Sequence, residues 1–79
     1  MLKILYCGND CGIDQNGISQ LNLTKLYANN NEKIKNVNHM KETLKTLFCC
    51  GKCGIDQNGI SQLNLIQLNI LDNNKIKIP

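Results

Sequence analysis

The residues in this chain best equipped for chemistry are its five cysteines: Cys7-x₃-Cys11 near one end, and Cys50-x₂-Cys53, with Cys49 adjacent, in the second half. Thiolates at such short spacings can occupy the corners of a tetrahedral zinc site. Asp14-Gln15-Asn16-Gly17 and its copy from Asp56 to Gly59 offer oxygens of the kind a calcium loop uses. With Gly17 as the sixth residue of such a loop, the twelfth place falls on Leu23, so the bidentate glutamate is missing. Asn-Gly there reads as turn chemistry instead. His39 has no Cys or Asp close by in sequence and reads as a solvated or satisfied loop residue. Asn22-Leu23-Thr24 is a glycosylation sequon, idle without a secretion signal. There are no paired carboxylates, no activated nucleophile and no glycine-rich phosphate cradle, so an enzyme is not expected.

The elements that position these residues belong to a repeat. CGIDQNGISQLNL runs from Cys11 to Leu23 and again, letter for letter, from Cys53 to Leu65, an offset of 42. At half that spacing four segments align, with units at 2–22, 23–43, 44–64 and a partial 65–79, about 21 residues each. First place holds Leu2, Leu23, Leu44 and Leu65, and fourth place Leu5, Leu26, Leu47 and Leu68. Sixth place holds Cys7, Ala28, Cys49 and Ile70, and twelfth place Ile13, Ile34, Ile55 and Ile76. All these positions are apolar in a chain that is 42% hydrophobic. A shuffled sequence would do this on the order of once in a million.

Within a unit, Leu2 to Cys7 alternates as a short strand should, with Leu5 and Cys7 on one side and Ile4 and Tyr6 on the other. Gly8-Asn9-Asp10 and Asp14 to Gly17 read as turns. Ile18 and Leu21, at i and i+3, fit about one helical turn. In the second unit Ile34, Val37 and Met40 recur every third residue, which fits a 3₁₀-like or loosely coiled return. A helix carrying Val37, Met40, Leu44, Leu47 and Phe48 on one face is the competing pattern, but it would have to cross the unit boundary at Leu44. The units alternate in type, first with third and second with fourth.

The same columns bear on the cysteines. Cys7 shares a column with Cys49, and Cys11 with Cys53, two rungs apart. At about 4.8 Å per rung that is roughly 10 Å, beyond the ~7 Å Cα limit for a disulfide. Small buried thiols filling core columns are therefore expected, and no metal.

Charge is mild at +3, and no arginine is present to read phosphate or base edges bidentately. The first ten residues are too short and too soon interrupted for a signal peptide, and no apolar run could span a membrane. An intracellular, soluble chain is expected, without nucleic-acid or membrane partners.

The columns resemble the leucine-rich repeat, L-x-x-L-x-L-x-x-N followed by a returning segment. Leu23, Leu26, Ala28, Asn31, Ile34, Val37 and Met40 sit where that family places its ladder, and Asn31 and Asn73 match its turn-tying asparagine. The first and third units are similar to the cysteine-containing variety, with Cys11, Gly17, Ile18 and Leu21 in place and Asp14-Gln15 where that variety has Thr-Asp. The alternation also resembles repeat proteins of large DNA viruses of protists or insects, which would imply a host cytoplasm. The resemblance implies an α/β repeat solenoid, an arc with parallel concave strands and short 3₁₀, helical or irregular convex segments. It implies protein binding more often than catalysis, as in substrate adaptors of ubiquitin ligases.

One column stands out under that reading. Fifth place, outward between two buried positions, holds Tyr6, Tyr27, Phe48 and Asn69, the first three being the chain's only aromatics. Lys3, Thr24 and Lys45 fill second place, and Lys25, Thr46 and Gln67 follow Ile4 in third, rimming the strip with polar and cationic groups. The expected partner-binding set is thus Tyr6, Tyr27, Phe48, Lys3, Lys25, Lys45 and Asn69. The file reads equally as binding anchors or as strand residues stacked on in-register neighbours. Two other roles stay open: a structural fragment of a longer array, and a zinc-binding module. Uncapped end units would favour self-association.

Overall fold

The computed structural model describes residues 2–9 and 11–77. Four strands, β1 (Ile4–Tyr6), β2 (Lys25–Tyr27), β3 (Thr46–Phe48) and β4 (Gln67–Asn69), form one sheet in chain order. Every pairing is parallel, and Leu5, Leu26, Leu47 and Leu68 lie side by side across it. Each strand is thus places three to five of its unit. Parallel neighbours need a crossover connection. Here the crossovers contain one turn of helix or less: α1 (Gln15–Ile18) and the 3₁₀ turns Asn38–Met40 and Asn58–Ile60. The competing long helix is absent, because its Leu47 and Phe48 lie in β3.

Burial follows the number of neighbours. Leu23, Leu26, Ala28, Ile34, Leu44, Leu47, Cys49 and Ile55, all in the middle two units, are fully buried. Most of their counterparts at the ends are not: Leu2 is 51% exposed, and Leu5, Ile13, Leu65, Leu68 and Ile70 are only partly covered, while Cys7 and Ile76 stay buried. A unit that buries its apolar edge only against the next one behaves this way.

Polar side chains fix the returns. The N-cap Asp14 accepts from Gly17 N–H at 3.0 Å, and Asp56 from Gly59 N–H at 2.8 Å. The helical turn therefore starts at Gln15, earlier than the Ile18–Leu21 spacing indicates. Gln15 reaches into the next unit: its Oε1 accepts from the N–H groups of Lys35 and Asn36 at 2.7 and 2.8 Å, and its Nε2 donates to Asn36 O at 2.8 Å. Gln57 accepts from Lys77 N–H in the same way. Eighth place, occupied by Asn9, Asn30, Gly51 and Asp72, is left-handed in every unit, with φ of 53°, 61°, 64° and 62°. These are the residue types that tolerate that conformation. Asp10 lies outside the described residues.

Asn31 is 2% exposed. Its Nδ2 donates back to Cys7 O at 2.9 Å and Ile13 O at 3.2 Å, and its Oδ1 accepts from Lys33 N–H at 2.9 Å. Asn73 repeats the arrangement on Cys49 O and Lys75 N–H. Replacing Asn31 by Ala strands buried carbonyls and an amide, so a loss of about 2–3 kcal/mol is expected. Exposed Asn22→Ala should stay within ~0.5 kcal/mol of the parent. Urea unfolding of the two variants checks this.

Candidate functional site

The fifth-place residues occupy one face of the sheet because side chains two apart on a strand share a side, while the fourth-place leucines point into the core. In-register pairing brings Tyr6 beside Tyr27 and Tyr27 beside Phe48. Their rings stack, with centroids 4.3 Å apart and planes 8° off parallel for the first pair, and 4.7 Å and 28° for the second. Tyr6 is 73% exposed, whereas Tyr27 and Phe48 are half-buried by their neighbours in the stack. Asn69 continues the file, exposed, with its Oδ1 accepting from Leu71 N–H at 3.2 Å and from the Cys50 thiol at 3.2 Å.

The cationic rim is partly as expected. Lys25 is exposed and two residues from Tyr27; Lys3 is exposed, and Lys45 is half-buried. Thr46, expected on the rim, is only 7% exposed, a short side chain between in-register Lys25 and Gln67. Ile4 and Ile66, 43% and 83% exposed, add apolar surface that the column of lysines concealed.

The cysteines correct the expectation of free core thiols. Cys7 is bonded to Cys11 and Cys49 to Cys53, with Cα atoms 5.4 and 5.3 Å apart. Cysteines that share a column stand in different units, whereas each bond lies within one unit, between sixth and tenth place over the left-handed turn. The four-residue separation was the available signal. Bonded sulfurs cannot serve as thiolate ligands for zinc. Cys50 keeps its thiol and is half-buried. Asp14 is occupied as the cap of α1 and Asp56 by Gly59 N–H, and His39 Nε2 lies 2.9 Å from Ile18 O. Among the described residues no pocket opens, and no helix is long and apolar enough to cross a membrane.

Disulfides persist in oxidising surroundings and are reduced in the cytosol. On the chain-entropy view each short staple here contributes about 2 kcal/mol. Air-purified protein, denatured without reductant, should present one alkylatable thiol of its five cysteines, and all of them after reduction. Mass spectrometry counts the adducts; labelling of every cysteine without reduction would refute the pairing.

No family model, no curated protein and no solved structure matches this chain.

Proposed function

We propose that the chain is an arc of a leucine-rich-repeat solenoid acting as a non-catalytic protein-interaction module, with the partner held on the strand face. The observation that carries this reading is the row of three stacked rings on the sheet surface, flanked by Lys3, Lys25 and Lys45. Aromatics recur as binding anchors because they bring large, stiff contact area at small entropic cost, and a polar rim keeps water from them. The complement is a protein surface with an aliphatic knob inside an acidic or mixed polar border. The repeat supports the solenoid part: one strand per unit, each pairing with the next at the same register. A second reading, that the file is purely structural, is favoured by the near-parallel Tyr6–Tyr27 stack.

One pair of substitutions separates the two. Tyr27→Ala should weaken partner binding by about 2 kcal/mol or more, the scale of a hot-spot truncation. Leu26→Ala, which leaves a core cavity, should cost roughly 2–5 kcal/mol of stability, and Tyr27→Ala distinctly less. Thermal unfolding and capture of partners from the source cell measure both. If Tyr27→Ala unfolds the protein as badly as Leu26→Ala, the file is structural. Partner loss on Gln20→Ala or Lys41→Ala, with Tyr27→Ala silent, moves the site away from the strands.

A further inference from the structure

The third unit carries three cysteines, and its disulfide uses two of them. Cys49 and Cys53 are bonded and fully buried, while Cys50 keeps its thiol and is half-buried. Of the four units only this one has a cysteine in seventh place; the others have Gly8, Asn29 and Leu71 there. The backbone sets how far Cys50 can reach. Cys53 N–H donates to Cys50 O at 3.3 Å, closing a four-residue turn through the left-handed Gly51. Such a turn holds its end Cα atoms within about 7 Å, and a disulfide spans roughly 4.4–6.8 Å. Cys53 is thus within bonding reach of Cys50 as well as of Cys49. A bond between Cys49 and Cys50 is disfavoured, because adjacent Cα atoms are only about 3.8 Å apart. Cys50-Gly51-Lys52-Cys53 also has the two-residue spacing of dithiols that undergo exchange.

We propose that the third unit is a thiol–disulfide exchange site in which Cys50 is the nucleophile. The Cys50 thiolate, its proton given to solvent, attacks Cys53 Sγ. The Cys50–Cys53 bond forms, the Cys49–Cys53 bond breaks, and the electron pair leaves on Cys49 Sγ, which takes up a proton. No oxidant or reductant is consumed. The surroundings suit both ends of the step. Asn73 Nδ2 donates to Cys49 Sγ at 3.3 Å, so an amide N–H already faces the leaving thiolate. Once protonated, Cys49 is a small apolar group in a core column that Ala28 fills one unit earlier. The Cys50 thiol donates to Asn69 Oδ1 at 3.2 Å and leaves that acceptor as it turns toward Cys53. Asn69 Oδ1 keeps its bond from Leu71 N–H, so no polar group is stranded.

Exchange gives outside thiols a route to a bond they cannot otherwise touch. Cys49 and Cys53 are both 0% exposed, and attack on a disulfide depends on access to its sulfurs. In the exchanged form one sulfur of the bond belongs to Cys50, which solvent reaches. A small thiol attacks there, forming a mixed disulfide on Cys50 and releasing Cys53 as a thiol. A second molecule of the same thiol then frees Cys50 and departs as the oxidised dimer. The ligand class is a low-molecular-weight thiol such as glutathione, and Cys50 carries its electrons to the buried pair. The first unit has the same turn, with Cys11 N–H on Gly8 O at 3.3 Å, but no third sulfur, so its Cys7–Cys11 bond has no such relay.

Two variants test the relay. Cys49→Ala installs the residue of the second unit in that column and removes the competing partner of Cys53. After air oxidation and denaturation without reductant it should present no alkylatable thiol, and peptide mass spectrometry should find Cys50 joined to Cys53. Two free thiols, at Cys50 and Cys53, would overturn the proposal. Cys50→Ser keeps a hydroxyl donor for Asn69 and removes the nucleophile. With glutathione as the reductant, opening of the Cys49–Cys53 bond in this variant should slow about tenfold or more relative to the Cys7–Cys11 bond of the same molecule. Poor folding of the variant would expose the buried bond and hasten its opening, so slowing cannot come from that source. A ratio of the two rates that Cys50→Ser leaves unchanged or raises overturns the proposal.

Discussion

A buried amide has to find partners for both its ends, and in this chain that demand sets the spacing of everything else. The side chain of Asn31 has almost no contact with water and reaches back a full unit to the carbonyls of Cys7 and Ile13 while accepting from its own turn at Lys33. Shifting the second unit by one residue against the first would leave those groups unpaired, at about 1–3 kcal/mol each. It would also turn Leu26 out of the core and Tyr27 into it. Asn73 imposes the same condition on the fourth unit against the third. Register is thus held from below by amides, from the sheet by backbone pairing, and from the return by Gln15 and Gln57.

From that register the surface follows. Side chains separated by one unit become neighbours about 4.8 Å apart, the spacing of parallel strands. Three aromatics scattered through the sequence therefore become one stack, and lysines in adjacent places become its border. Stacking has two consequences that pull on function in opposite ways. It half-buries Tyr27 and Phe48 and stiffens them, which under the proposed binding role would lower the entropy lost on docking. It also removes ring faces from contact, leaving edges and the outermost ring, Tyr6, as the most accessible part.

The strands and their neighbours were legible because columns at a fixed spacing average over local ambiguity: no single stretch such as Lys25–Tyr27 announces a strand, but four aligned Leu-x-x-Leu segments do. Asn31 was legible for the same reason. The disulfides were not, because Cys7 and Cys11 stand in different columns of one unit and only the backbone path of the turn between them brings them together. The roles of Asp14 and Gln15 were hidden as well. A turn-like Asp-Gln-Asn-Gly string carries no sign that the aspartate caps a helix while the glutamine grips the following unit. Thr46 was misplaced on the rim since column position gives direction but not how far flanking side chains, Lys25 and Gln67, extend over a short one.

The most direct test of the shared register is the set of cross-strand nuclear Overhauser contacts in isotopically labelled protein. A parallel ladder at this pitch requires backbone contacts linking Leu5 to Leu26, Leu26 to Leu47 and Leu47 to Leu68, and no others among these leucines. Contacts at a different offset, or a run of sequential helical contacts through Val37 to Phe48, would contradict it.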